Sequence, residues 1–204
     1  MKKIIALLLI LVLSVSLVAC LDKDTDSDAT ITRGETVGTK YENDVFGFTF
    51  TAPATWVYST DDEVAALVGM SVEALGDSRF QAALDKNTAI YDMMVRDVVT
   101  NSNVLVGYEN LKKTLATNIT EEQYVEAMKS QMSSVTGMTV KFPDATEQVK
   151  LGNTTFTKVV CQTTTYGVTM TQVYYIRKVG NYMGFVIVTI NDGYSIQDIE
   201  AMFK

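Results

Sequence analysis

Residues 154–191 decide the fold, and they read TTFTKVVCQTTTYGVTMTQVYYIRKVGNYMGFVIVTIN. Long runs of β-branched and aromatic residues are separated by two short steps, Tyr166-Gly167 and Gly180-Asn181. Such dipeptides favour the backbone angles of tight hairpin turns, so neighbouring strands should pair antiparallel. The predicted strands are Thr154–Thr165, Val168–Val179 and Tyr182–Asn191.

The same pattern extends towards the N-terminus. A strand at Thr139–Lys150 is predicted to join this set through a turn at Gly152-Asn153. Ala89–Thr100 and Asn103–Leu111 are also rich in β-branched and aromatic residues, and they read as a further hairpin. Successive hairpins predict an antiparallel sheet, unlike the parallel sheet of nucleotide-binding folds.

Helix starts are marked by capping boxes, in which a hydroxyl residue is followed three positions later by an acid or amide. They begin at Thr60, Thr120 and Ser195. After Thr120, apolar residues recur at helical spacing and predict a helix over 121–135 with one buried face. Strands in a run with helices around them predict an α+β domain.

The first 20 residues have the pattern of an export signal. Lys2 and Lys3 precede an apolar run of about 15 residues, Ile4 to Val18, which is shorter than the roughly 20 that a membrane-spanning helix needs. The run ends in Leu17-Val18-Ala19-Cys20, which resembles the bacterial lipobox. That resemblance implies cleavage after Ala19 and attachment of lipid to Cys20. The alternative is an ordinary secretory signal in which the cysteine occurs by chance.

A polar stretch follows the lipobox. We predict three segments: a signal peptide over 1–19, a lipidated Cys20 with an acidic disordered linker to residue 43, and one globular domain over 44–204. The linker carries carboxylates at the first, third, fifth and twelfth positions of an EF-hand-like calcium loop, but Ala29 replaces the glycine that the turn needs. A solvated acidic linker is therefore the preferred interpretation, and no metal site is predicted.

The start of the domain carries a family resemblance. Residues 41–56 read YENDVFGFTFTAPATW, an aromatic-Gly-Phe strand followed by a proline and then Trp56. This resembles the opening of PsbP-like domains, and more closely that of uncharacterised lipoproteins from gut-type Gram-positive bacteria. The resemblance implies a PsbP-like α/β/α sandwich, in which helices cover both faces of an antiparallel sheet. It implies no single function and supplies no catalytic residues. Phe48, Phe50 and Trp56 are predicted to be core residues.

Composition excludes several function classes. The chain of 204 residues has no histidine, two cysteines and a formal net charge of −7. Histidine-dependent triads and thiolate zinc sites are therefore excluded, and the acidic balance argues against a nucleic-acid partner. We predict no catalytic residues, no cofactor and no metal.

Tyrosines cluster in the last hairpins and are the candidate binding residues: Tyr166, Tyr174, Tyr175 and Tyr182. Adjacent residues of a strand point to opposite faces of a sheet, so Tyr174 and Tyr175 cannot both lie in one layer. They would form a binding patch if helices left part of the sheet uncovered. Packing under helices on both faces is the preferred interpretation, and the binding patch is the alternative. Cys161 lies in a β-rich run and is predicted to be a small core residue.

These observations predict an extracytoplasmic lipoprotein, held at the cell membrane by its lipid anchor. Its domain is expected to be a non-enzymatic binding or accessory module for a protein or for a small or lipid-like ligand. The alternatives are a hydrolase that uses carboxylates or tyrosine and lysine groups, and an accessory subunit of a membrane complex. A concave pocket with two or more converging polar side chains would keep the enzyme alternative open.

Overall fold

A computed structural model describes residues 29–67, 69–114, 116–165, 167–191 and 193–204. The strands are β1 (Glu35–Val37), β2 (Lys40–Asn43), β3 (Phe48–Thr51), β4 (Trp56–Tyr58), β5 (Ala89–Asp97), β6 (Asn103–Asn110), β7 (Thr139–Lys141), β8 (Glu147–Leu151), β9 (Thr154–Thr165), β10 (Val168–Val179) and β11 (Tyr182–Ile190). The helices are α1 (Asp61–Leu67), α2 (Asp77–Lys86), α3 (Glu121–Ser133) and α4 (Ile196–Glu200), with a 3-10 turn at Val72–Leu75.

The large sheet has eight strands and the small sheet has three. The large sheet runs in the order β4-β5-β6-β11-β10-β9-β7, and β8 also pairs with β9. All of these pairings are antiparallel, and the small sheet has the order β1-β2-β3. The predicted hairpins of β10 with β11 and of β5 with β6 are confirmed by the registers Val179↔Tyr182 and Arg96↔Asn103, but β5 ends at Asp97 and not at Thr100.

The strand predicted over Thr139–Lys150 is interrupted. It forms two short strands, β7 and β8, which pair with different halves of β9. Pro143 lies between them, and proline cannot donate a backbone hydrogen bond to a ladder. The prediction of a single continuous strand was therefore wrong at this point.

Helices and the small sheet cover the two faces of the large sheet. Consecutive residues of β6 show this, because they contact opposite layers. The Tyr108 ring packs edge-on against Phe80 of α2, with ring centroids 6.2 Å apart. The Glu109 carboxylate instead accepts a hydrogen bond from Tyr124 of α3. The α+β sandwich predicted from the sequence is confirmed.

The small sheet packs through phenylalanines. Phe46, Phe48 and Phe50 are all buried, as is Trp56, which confirms them as core residues. The end of the described chain completes this layer, because the backbone N–H and C=O of Lys204 both bond to Thr49 at 2.9 Å. Phe203 then lies against the rings of Phe48 and Phe50, with centroids 5.0 and 4.9 Å away.

The linker predicted as disordered to residue 43 is shorter in the structure. Strands β1 and β2 lie inside that range, and Ile31 and Tyr41 are buried in the core. The partners of this segment are distant in sequence: Ile31 donates a backbone hydrogen bond to Gln81. Local polarity gave no sign of this packing, so the boundary at residue 44 was wrong.

None of the helices in the described part of the chain has the length and hydrophobicity of a membrane-spanning segment.

Candidate functional site

A polar cavity of about 240 Å³ opens between the N-terminal segment, α1, the start of α2 and the middle of β5. Its lining residues are Arg33, Gly34, Glu35, Thr36, Tyr58, Ser59, Asp61, Val64, Asp77, Asp92 and Met93. We call it the Arg33 cavity. It brings several polar side chains together in one concavity, which is the feature that keeps the enzyme alternative open.

Arg33 lies across the cavity and connects the N-terminal segment to α1 and to the 3-10 turn. Its guanidinium forms a two-pronged ion pair with Asp61 at the start of α1, with Nη1 2.9 Å from Oδ2. Nη1 also donates to the backbone oxygen of Leu75 at 2.9 Å. The hydrogen bond from Arg33 lowers the pKa of Asp61. Because Asp61 is half exposed, this pair mainly fixes geometry and adds little stability.

Asp92 forms the buried floor of the cavity. It lies at a β-bulge in β5, where the register shifts between Tyr91 and Met93. Its carboxylate accepts hydrogen bonds from the Gly34 backbone, from the Tyr41 hydroxyl at 2.7 Å and from the Asn43 amide at 3.1 Å. Burial raises the pKa of Asp92 to about 6, and these hydrogen bonds oppose the rise. Asp92 is therefore ionised at neutral pH, and its negative charge is stabilised by these three hydrogen-bond donors.

Asn43 extends this network into the core. Its side-chain amide donates to the hydroxyls of Tyr41 and Tyr108, at 2.7 and 2.9 Å. Its carbonyl accepts from the backbone N–H of Phe46 at 2.8 Å. The cavity floor is therefore joined to the phenylalanine layer by one continuous set of hydrogen bonds.

Gly34 is the position where the backbone approaches the network most closely. A Cβ atom there would overlap the Tyr41 ring and hydroxyl. Glycine is needed because the Gly34 N–H must reach both oxygens of Asp92, at 3.2 and 3.0 Å. The Thr32-Arg33-Gly34 sequence therefore has a structural role that the linker prediction did not assign.

The bonding pattern of the cavity suits binding better than catalysis. Among the described residues, the aliphatic hydroxyls of Thr36 and Ser59 form no hydrogen bond to a carboxylate, so neither is paired with a base. Asp92 already accepts from three groups and has no exposed side-chain surface. Tyr58 keeps its proton, because burial raises its pKa to about 12. The cavity therefore provides a ligand with charged groups, hydrogen-bonding atoms and a concave volume.

The tyrosines predicted as a binding patch lie elsewhere and are buried. Tyr174, Tyr175 and Tyr182 are 4%, 1% and 1% exposed, so the interpretation as an open patch was wrong. Tyr174 bonds to Gln172, whereas Tyr175 bonds to Glu200 of α4. Layers on both faces of the sheet leave these side chains no access to solvent. Tyr166 lies outside the described residues.

A second buried carboxyl group lies on the opposite face of the sheet. Glu109 of β6 is 2% exposed, and its Oε2 accepts a hydrogen bond of 2.6 Å from Tyr124 of α3. Its Oε1 has no hydrogen-bond partner among the described residues. Burial raises the pKa of Glu109 to about 7, and the Tyr124 hydrogen bond opposes the rise. The group is thus poised to exchange its proton near neutral pH.

Cys161 is fully buried in β9, where the sequence analysis placed it as a core residue. Burial raises the pKa of its thiol to about 12, so the reactive thiolate is scarce at neutral pH. We expect a maleimide to modify Cys161 on the order of 100-fold more slowly in the native protein than in denaturant. Peptide mass mapping at Cys161 measures both rates. Equal rates would show that the thiol is accessible.

The remaining predicted residues are not described. Ala19 and Cys20 lie outside the described residues, so cleavage and lipidation stay predictions. The acidic residues of the EF-hand-like spacing up to residue 28 also lie outside them, while Glu35, its twelfth position, belongs to β1. Among the described residues, no group of three or more acidic, cysteine or histidine side chains could hold a metal ion.

Arg33 and Asp92 were not predicted as site residues. Two signals were present: Arg33 is the one cation between Lys23 and Lys40, and Asp92 interrupts an otherwise apolar run in β5. A buried charge without a partner is costly, so each of these residues implied a distant partner. The pairing itself depends on contacts across about 60 positions, which no local pattern encodes.

Among the comparisons with known proteins, one solved structure supports the fold. No protein-family model and no curated protein matches the chain. The solution structure of the PsbP protein CyanoP from Synechocystis sp. PCC 6803 has a TM-score of 0.50 at 9% identity, with 87% of this chain and 95% of CyanoP covered. A crystal structure from Bacteroides thetaiotaomicron VPI-5482 is 14% identical over 82% of this chain and 48% of its own, with a TM-score of 0.39.

At 9% identity, the likeness to CyanoP concerns the fold alone. It covers nearly the whole length of both chains, and it agrees with the antiparallel sheet and flanking helices described above. The chain therefore has a PsbP-like α+β fold.

Proposed function

We propose that this protein is a lipoprotein, anchored at Cys20 on the extracytoplasmic face of the cell membrane, and that its domain is a non-catalytic binding module. The Arg33 cavity is the proposed binding site for a small ligand. The observation that carries this proposal is the cavity itself: about 240 Å³ of space with a buried, fully hydrogen-bonded floor at Asp92. That volume corresponds to roughly eight water molecules, which suits a small ligand.

The arrangement supports binding because its polar groups are held in place before a ligand arrives. Asp92 is fixed by three donors, and Arg33 is fixed by Asp61 and Leu75. Preorganised groups lower the entropic cost of binding. The hydrolase alternative would need an activated nucleophile, and neither aliphatic hydroxyl of the described lining, on Thr36 or Ser59, is paired with a base.

Metabolic labelling with a fatty-acid analogue tests the anchor. We expect the wild-type chain to incorporate label and Cys20→Ser to incorporate none, because the acyl chains are attached through that residue. Cys161→Ser is the matched control, since it removes the other cysteine and should label normally. Normal labelling of Cys20→Ser would refute the anchor.

Native mass spectrometry tests the binding module. The lipidated protein in detergent is incubated with the small-molecule fraction of the cell envelope, and bound masses are compared between variants. Thr36→Trp should abolish capture by filling the rim of the cavity. Thr139→Trp is the control, because Thr139 is also an exposed strand threonine but lies on β7, away from the cavity. Equal capture by both variants, or none by the wild type, would count against the proposed site.

A further inference from the structure

We infer that the ligand of the Arg33 cavity carries an ammonium group. This inference rests on the proposed function, and it names the chemical class that the site would accept. The lining holds four carboxylates, Glu35, Asp61, Asp77 and Asp92, against the single guanidinium of Arg33. With all of these groups ionised, the cavity has a net charge of −3, which attracts cations and repels anions.

Arg33 is not available to bind an anion. Both of its terminal nitrogens bond to Asp61, and Nη1 also bonds to Leu75. Its Nε lies 3.8 Å from the Asp92 carboxylate; it has no hydrogen-bond partner among the described residues, but it is shielded from solvent and so out of reach of an anion. The charge of Arg33 is therefore balanced within the cavity, mainly by Asp61 and Asp92 and in part by Asp77.

Two carboxylates of the lining, Glu35 and Asp77, are exposed and within reach of a ligand. Among the described residues, the side chains of Glu35 and Asp77 form no hydrogen bond and no ion pair. Asp77 begins α2, where the helix dipole favours a negative charge. Glu35 has no such support, since it lies directly opposite Glu42 in the β1–β2 ladder. Like charges that face each other across strands are destabilising, and an ammonium group bound at Glu35 would relieve that repulsion.

The remaining walls set the size and character of the ligand. Val64 and Met93 are buried apolar residues at the cavity, and Tyr58 contributes an aromatic side chain. These surfaces can contact a short aliphatic body, while an ammonium group pairs with the acidic rim. A small aliphatic amine or diamine fits both the volume and the charge of the cavity.

Calorimetric titration of the lipidated protein in detergent, at low salt and neutral pH, tests this inference. The probes have the same four-carbon body and different charge: 1,4-diaminobutane, butane-1,4-diol and butanedioate. We expect the diamine alone to bind, and added salt to weaken it. In the double variant Glu35→Gln/Asp77→Asn, the Kd for the diamine should rise at least about tenfold. Glu122→Gln/Asp144→Asn removes the same charge from exposed positions remote from the cavity and should leave the Kd unchanged.

Three results would overturn the inference: no diamine binding, equal binding of the diol or the dianion, or an unchanged Kd in Glu35→Gln/Asp77→Asn. Preferential binding of Ca²⁺, with displacement of the diamine, would also overturn it in favour of a metal site. Failure here is distinguishable from failure of the proposed function. Suppose that the captured envelope compound is neutral or anionic and that Thr36→Trp blocks its capture. The proposed binding module would then be supported, and only the inference that its ligand carries an ammonium group would be refuted.

Discussion

Replacing Phe46 with alanine should lower the free energy of unfolding by about 4 kcal/mol, the largest effect that we expect from a single substitution. Phe46 is fully buried between the two sheets. Its ring centroid lies 5.1 Å from that of Tyr108, 5.3 Å from Phe156 and 5.8 Å from Phe48. Removing the ring would leave a cavity at the junction of the layers, and urea denaturation measures the cost.

Two further variants make this test specific. Phe46→Leu keeps most of the buried volume and should cost less than half as much, because cores tolerate changes that conserve volume. Val37→Ala is the surface control, since Val37 is 66% exposed and its truncation should cost less than about 0.5 kcal/mol. A loss below about 1 kcal/mol in Phe46→Ala would show that the small sheet is not firmly packed on the large one.

The stability of the protein should fall as the pH rises from about 5 to about 8, and Glu109 should account for about 3 kcal/mol of that fall. The pKa of Glu109 is about 7 in the folded protein, against an ordinary value of 4.5 for a glutamate in an unfolded chain. Between these values the folded state keeps a proton that the unfolded chain releases. The stabilising contribution of Glu109 is therefore fully present below pH 4.5 and is lost as the pH rises through 7.

Glu109→Gln isolates this contribution. Glutamine resembles the protonated acid, so the variant should match the wild type near pH 5 and exceed its stability near pH 8 by about 2–3 kcal/mol. Asp92 titrates in the same direction, but it is present in both proteins and cancels in the difference. Glu122→Gln, an exposed position on α3, is the control and should follow the wild type at every pH. Parallel curves for Glu109→Gln and the wild type would contradict the assignment.

Local chemistry was sufficient to predict much of the architecture. The turn at Gly180-Asn181 fixed one hairpin because glycine and asparagine tolerate backbone angles that other residues avoid. Thr120 and Ser195 are confirmed as helix N-caps, since each accepts a hydrogen bond from the backbone three residues later. These features depend on a few adjacent residues, so they can be read without knowing the rest of the fold.

The candidate site could not be predicted in the same way, because its partners are distant in sequence. Arg33 pairs with Asp61, and Gly34 pairs with Asp92. The β-bulge that places Asp92 at the cavity floor is set by pairing with β6, not by its own segment. The prediction of an exposed tyrosine patch was wrong for a related reason. Whether Tyr175 is exposed depends on α4 and its Glu200, which the strand pattern alone does not position.

The bond between Thr49 and Lys204 also orders events during synthesis. These residues are about 150 positions apart, so a ribosome adding 5–20 residues per second makes the second roughly 8–30 s after the first. The phenylalanines of the small sheet are therefore made early and covered late. During that interval the nascent chain exposes an aggregation-prone aromatic segment, and a chaperone or the export machinery would have to shield it. The aromatic layer that joins the two sheets is thus also a segment that stays at risk until folding is complete.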